Sequence, residues 1–248
     1  MARPETANTE PAAQQSSRVR TLLLRFWREW LKPILVIVIV LSTFRSAVAD
    51  WNDVPTGSMK PTIVEGDRIF VNKLAYDLKV PFTTWKIVAW SQPERGDIVV
   101  LFSPEDGTRL VKRVVGLPGD HIEVRGSRLF INDVAAQYEP LDDEIIAQLD
   151  ADQRAGHRFY EEQIDGRAHA VMTTPARTND ARRGPFIVPE GHIFVMGDNR
   201  DNSRDSRVSE VGAIPIERVV GRATRVVISL DREHYYAPRW GRFFRALE

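Results

Sequence analysis

A mainly β body behind a single N-terminal membrane-crossing helix is predicted by two features of this 248-residue chain. The first is its one long apolar run, Ile-Leu-Val-Ile-Val-Ile-Val-Leu at 34–41, with basic residues ahead of it. The second is the succession of short apolar or alternating runs, punctuated by Gly and Pro, through everything that follows. Composition narrows the rest. At 43% hydrophobic and 27% charged residues the chain is neither disordered nor wholly membrane-embedded. Its 34 basic and 34 acidic side chains cancel, which argues against a nucleic-acid partner. It has no Cys, which excludes disulfide scaffolds, thiol nucleophiles and Cys-ligated metal.

The N-terminal elements follow in order. Residues 1–20, with Pro4, Pro11, Gln14, Gln15, Ser16 and Ser17, are too polar to bury a core and predict a disordered tail. Arg18, Arg20, Arg25, Arg28 and Lys32 then lead into the apolar run. Residues 31–49 would make a helix of about 28 Å, close to a hydrocarbon core of about 30 Å. Pro33 falls in its first turn, where a missing N–H costs little. Arg45, near the far end, can snorkel to the interface. The basic flank puts residues 1–30 in the cytoplasm and the remainder outside. The same layout, followed by Ala47-Val-Ala49, also describes a cleavable secretory signal, which Arg45 mildly disfavours. Both readings export residues 50–248.

In that exported body, apolar or alternating runs at 68–74, 97–102, 109–115, 192–196 and 218–230 predict strands. Alternating runs at 121–125 and 128–132 around Gly126-Ser127 predict a tight hairpin. The one helical pattern is 141–149, with Leu141, Ile145, Ile146 and Leu149 on one face. Residues 133–190, richer in charge and turn formers, read as an inserted subdomain between 50–132 and 191–248.

Three segments carry candidate chemistry. Ser58 lies in Val54-Pro-Thr-Gly-Ser-Met-Lys-Pro-Thr62, where two prolines and a glycine fix a turn that can present a hydroxyl; the plainer reading is a linker leaving the membrane. A serine needs a base to become a nucleophile. None of the five histidines, His121, His157, His169, His192 and His234, sits in a recognisable motif. Lys112 is the better candidate. Period-two alternation in Arg109-Leu-Val-Lys-Arg-Val-Val115 puts it on a face with Leu110 and Val114. Burial there would lower its pKa and make it a base near neutral pH; the plainer reading is a snorkelling edge lysine. Arg113 beside it cannot be deprotonated usefully. The third segment, Gly197-Asp-Asn-Arg-Asp-Asn-Ser-Arg-Asp-Ser-Arg207, has alternating charges that could fold on themselves through charge-assisted hydrogen bonds.

Together these segments resemble bacterial type I signal peptidase, a membrane-bound serine–lysine endopeptidase. The resemblance rests on Pro55-Thr-Gly-Ser-Met-Lys-Pro-Thr62, Gly66-Asp-Arg-Ile-Phe-Val-Asn-Lys73, Arg95-Gly-Asp-Ile-Val-Val100 with Lys112-Arg-Val-Val-Gly-Leu-Pro-Gly-Asp120, and Gly197–Arg207 with Gly212. They occur in the family's order, behind the family's anchor, and cover 54–120 and 192–221; 133–190 and the C-terminus match poorly. The resemblance implies an antiparallel-sheet, signal-peptidase-like catalytic domain over 50–132 and 191–248, with an inserted β-rich subdomain at 133–190, behind a retained transmembrane helix. It implies Ser58 as nucleophile, Lys112 as general base, the Ser58 N–H and the Thr56 hydroxyl as oxyanion hole, Ser203 as the residue orienting the lysine, and Asp205–Arg207 as a structural ion pair. Thr56 stands where the family commonly has Ser, and Lys60 where it often has Met. Val54, Met59, Ile63, Leu110 and Val111 are expected to wall shallow pockets for the small residues of an Ala-x-Ala cleavage site.

The implied partners are signal peptides of secreted preproteins and membrane lipid, with no nucleic acid, and the implied state is a monomer beside the secretion translocon of the bacterial inner membrane. No metal or cofactor is needed. The alternatives are a related serine–lysine maturation peptidase of pilin or conjugation type, and a non-catalytic membrane-anchored β domain that binds exported proteins. Ala47-Val-Ala49 itself fits the substrate pattern. Trp85, Trp90, Trp240, Phe243 and Phe244, near Lys86, Arg239, Arg242 and Arg245, suit either a membrane interface or ordinary packing.

Overall fold

Five consecutive β-branched residues, Val36 to Val40, would favour a strand in water, yet they lie within α1 (Lys32–Ala47). In lipid a lone segment must satisfy its own backbone hydrogen bonds, and the helix is the way to do so. A π-helical turn, Trp27–Leu31, leads into it. The helical stretch Leu24–Ala47 is long and apolar enough to cross a membrane. It begins earlier than the expected 31–49 and stops short of its end, because Ala49 starts a strand paired with Asn72. Arg45 in the last turn complements the helix dipole.

This computed structural model describes residues 20, 22, 24–83, 85–147, 149, 154–176, 182–232 and 234–247, the side chains of Glu144 and Arg182 excepted. The tail expected over 1–20 lies outside the described residues except for Arg20. The chain forms two compact units, Met1–Ser46 and Ala47–Glu248.

The second unit is built from β1 (Ala49–Asp53), β2 (Asp67–Asn72), β3 (Asp77–Lys79), β4 (Lys86–Ala89), β5 (Ile98–Phe102), β6 (Arg109–Gly116), β7 (His121–Arg125), β8 (Arg128–Ile131), β9 (Val134–Ala135), β10 (Gln137–Pro140), α2 (Asp143–Ala147), β11 (Arg158–Ile164), β12 (Arg167–Thr173), β13 (Arg182–Ile187), β14 (His192–Met196), β15 (Ile214–Pro215), β16 (Val219–Asp231) and β17 (Ala237–Pro238). The main sheet runs β1-β2-β16-β5-β6-β14-β15, with β17 on β16, and its pairings are antiparallel. Both faces are covered. Ile98 and Val100 of β5 enter a cluster with Met59, Ile63, Ile69 and Val226, while Val99 and Leu101 enter one with Val114, Ile193 and Val195. That is why 98–101 reads as an unbroken apolar run. Each such fully buried side chain contributes roughly 1.5–3 kcal/mol.

The expected hairpin is β7–β8, closing through Gly126 and Ser127, and it belongs to a second sheet of order β13-β7-β8-β9. Residues 133–190 are woven into the same unit. β9 pairs with β8 and β13 with β7, while β10, β11 and β12 form their own antiparallel sheet. The helix expected over 141–149 is one turn, α2; Leu141 and Leu149 at its flanks are buried all the same. The C-terminal segment is pinned by Arg242, which pairs with Asp67 and donates to the Thr62 carbonyl from a buried position. Trp85, Trp90, Trp240 and Phe244 are exposed, but Arg242 is committed to Asp67 and is not available at the surface.

Candidate active site

Thr56 is extended (φ −128°, ψ 151°) and hands over to a single helical turn, Gly57–Met59. Met59 and Ile63 anchor this segment, both 0% exposed in the core. Ser58, just ahead of Met59, stays half-buried. The first N–H groups of a helical turn have no partner within it, so the Ser58 amide points away from the turn's own bonding.

Lys112 sits on β6 directly across from Val99 of β5 and is 2% exposed. Its Nζ lies 2.7 Å from Ser58 Oγ and donates to the Val111 carbonyl at 3.0 Å. Burial disfavours the ammonium form and brings its pKa down to about 8; Asp205 and Asp198 partly oppose this and Arg207 assists. Those two carboxylates are themselves committed. Burial works against ionising Asp205, but Arg207, donating from Nε and Nη2 at 2.8 Å, and the Gly197 N–H at 2.9 Å hold its carboxyl below the usual range. Burial likewise opposes ionised Asp198, and Arg113 overrides it. With each acid matched to an arginine, neither recharges the lysine fully.

Arg113, the neighbour of Lys112, faces the other side of β6. It donates to Asp198 from Nε and Nη2, both at 2.9 Å, and to the Gly96 carbonyl at 2.8 Å. Thr62 Oγ1 donates to the same Asp198 at 2.5 Å. This latch ties the nucleophile segment, β6 and the 197–207 loop together. In the sequence Arg113 stands out only as a contrast to Lys112. The missed signal was Asp198, the first acid of the alternating-charge loop.

The loop approaches the nucleophile through Gly197. A Cβ there would lie 2.4 Å from the Ser58 carbonyl oxygen and 2.2 Å from Ser203 Oγ, so any side chain would push the loop off the turn. Ser203 is therefore close to the site, but its contact differs from the expected one. Its Oγ lies buried beside Asp205 and helps hold that carboxyl low, and the lysine amine is held by Ser58 Oγ and the Val111 carbonyl. One further expectation is corrected by burial. Val54, Met59 and Ile63 are packed in the core and present no surface to a peptide. Leu110 and Val111 are half-buried and pack against different clusters, on opposite faces of β6. Thr56 is exposed and its hydroxyl is not used to cap the turn. Lys60 pairs with Glu65 at 2.7 Å.

Four of the histidines have other partners. His157 meets Thr174, His169 lies 3.1 Å from Glu162, His192 meets the Glu190 carbonyl and His234 meets Asp231. A hydroxyl set against a desolvated amine, on an antiparallel β body, is the layout of a serine–lysine hydrolase. Comparison with known proteins gives the family. A family model described as signal peptidase, peptidase S26, matches residues 27–228. The chain is 36% identical over 207 residues to a signal peptidase I of Pseudomonas fluorescens, covering 79% of this chain and 70% of that one. It is 33% identical over 234 residues to a signal peptidase I of Pseudomonas aeruginosa, covering 89% and 78%. A crystal structure of a signal peptidase I from Enterococcus faecalis V583 aligns with 55% of this chain and 100% of its own at 30% identity, with a TM-score of 0.34. The chain belongs to the S26 signal peptidase family.

Proposed function

We propose that this chain is a serine endopeptidase that removes N-terminal signal peptides from exported preproteins after small residues, with Ser58 as nucleophile and Lys112 as general base. The observation that carries the reading is the 2.7 Å contact between Lys112 Nζ and Ser58 Oγ, made by a lysine whose pKa is lowered by burial to about 8. Neutral Lys112 takes the Oγ proton as Oγ attacks the scissile carbonyl carbon. The Ser58 N–H and the Thr56 hydroxyl stabilise the oxyanion, a role in which one donor is typically worth about 10²–10³ in rate. The Lys112 ammonium then gives its proton to the departing amine. Water attacks the acyl-enzyme, Lys112 takes a proton from it, and collapse returns that proton to Ser58 Oγ.

In this reading the membrane anchor lies within Leu24–Ala47, the residues ahead of it lie in the cytoplasm, and the catalytic body works as a monomer at the outer face of the inner membrane, beside the translocon. The basic residues ahead of the helix support that orientation. The exposed Trp85, Trp90 and Trp240 support contact of the body with lipid. The test is cleavage of a preprotein carrying an Ala-x-Ala site by the full chain in detergent, with the product's N-terminus read by mass spectrometry. Cleavage after the second Ala, lost in Ser58→Ala, supports the reading; equal cleavage by a folded Ser58→Ala variant overturns it.

A further inference from the structure

The 3₁₀ turn that carries Ser58 is held from one side by a single residue. Asn199 Nδ2 donates to the Gly57 carbonyl at 3.0 Å and the Asn199 backbone N–H donates to the Ser58 carbonyl at 3.1 Å. Asn199 is 2% exposed, so neither bond competes with water. Its own backbone is fixed in turn by β12. The Met172 N–H donates to the Asp198 carbonyl and the Arg200 N–H to the Met172 carbonyl, both at 2.9 Å, a parallel bridge that adds residues 198–200 to the strand. On either side the loop is locked by buried ion pairs, Asp198 with Arg113 and Arg200 with Glu162.

We infer that Asn199 is a positioning residue for catalysis: its two donors clamp consecutive carbonyls of the nucleophile turn and so hold Ser58 Oγ against Lys112 Nζ. A small misplacement of a reacting group costs rate steeply, and a clamp on the two peptide units around Ser58 limits its displacement. The geometry gives residues 158–173 a role as well. The strand pair β11–β12 backs the loop that backs the nucleophile, which ties the 133–190 stretch to the chemistry through named bonds. The inference rests on Ser58 being the nucleophile.

The test compares Asn199→Ala and Asn199→Asp with Ser58→Ala and wild type, as full chains in detergent cleaving one preprotein. Asn199→Asp keeps the shape and removes the side-chain donor. Loss of a positioning bond lowers kcat by about 10-fold or more while KM stays within about twofold, in both variants, per mole of folded enzyme. An exposed loop control, Arg204→Ala, leaves kcat unchanged. Wild-type kcat in Asn199→Asp, or a loss that falls on KM alone, overturns the clamp. Activity retained by Ser58→Ala overturns the nucleophile assignment itself and is thereby distinguished. Should the Asn199 variants not fold, hydrogen exchange on the wild-type chain decides. The Asn199 amide is expected to exchange as slowly as those of β12, and exchange at the rate of an open loop contradicts the inference.

Discussion

Arg113 grips Asp198 with two guanidinium nitrogens at 2.9 Å, and each side chain is 1% exposed. The pair lies across β6 from Lys112, and Asp198 is one of the two acids that pull the lysine's pKa upward against burial. Its substitution therefore has two separable consequences. Asp198→Asn leaves the Arg113 guanidinium buried without its counter-charge, which costs roughly 3–5 kcal/mol in denaturant unfolding. Removing a negative charge also lets the Lys112 pKa fall further, so the acid limb of activity moves to lower pH. An unchanged acid limb in a folded Asp198→Asn variant contradicts this electrostatic account.

The lysine sets the pH dependence of the wild type. Only the neutral amine accepts the Ser58 proton, so kcat/KM falls about tenfold per unit as pH drops below the Lys112 pKa, about 8. A pH–rate profile of preprotein cleavage with its acid limb near an ordinary lysine value would mean that Lys112 is solvated in the working enzyme.

Burying that amine also destabilises the fold. The folded pKa is about 8 against an ordinary lysine value of 10.5, so between these values the unfolded state binds more protons and stability rises with pH. Below about pH 8 the penalty is fully present, on the order of 3 kcal/mol. Lys112→Met removes it, and the variant is expected to unfold at higher denaturant concentration than wild type at pH 7, with the difference shrinking towards pH 10. Destabilisation at pH 7 would contradict the desolvation argument.

Thr56 separates hydroxyl from shape. Thr56→Ser keeps the donor and stays within a few-fold of wild type, whereas Thr56→Val keeps the β-branch and loses about 10²–10³ in kcat if the hydroxyl stabilises the oxyanion. Equal rates for both variants would assign the oxyanion to backbone donors alone.

Much of the fold was legible because its signal is local. The apolar run at 34–41, the continuous run at 98–101 and the alternation in 121–131 each declare an element without tertiary information, and the structure places α1, β5 and the β7–β8 hairpin there. Lys112 stood out for the same reason, as the lone charge on one face of a strand. What the sequence could not convey was depth and partnership. Val54, Met59 and Ile63 lie next to the candidate nucleophile in sequence, which suggested pocket walls, but they point into the core. Ser203 was expected on the lysine, while the amine is satisfied by the Val111 carbonyl, a main-chain acceptor that no side-chain pattern can announce. Asn199 escaped notice because its bonds go to carbonyls 142 and 141 residues away in the chain.

The central claim is that an amine and a hydroxyl, 2.7 Å apart, do the chemistry together. Single-turnover cleavage of an Ala-x-Ala preprotein by Lys112→Met, measured from pH 7 to 10 beside the wild type and with folding verified, tests it most directly. The account predicts no mature product at any of these pH values. Substantial cleavage by the folded variant would contradict it.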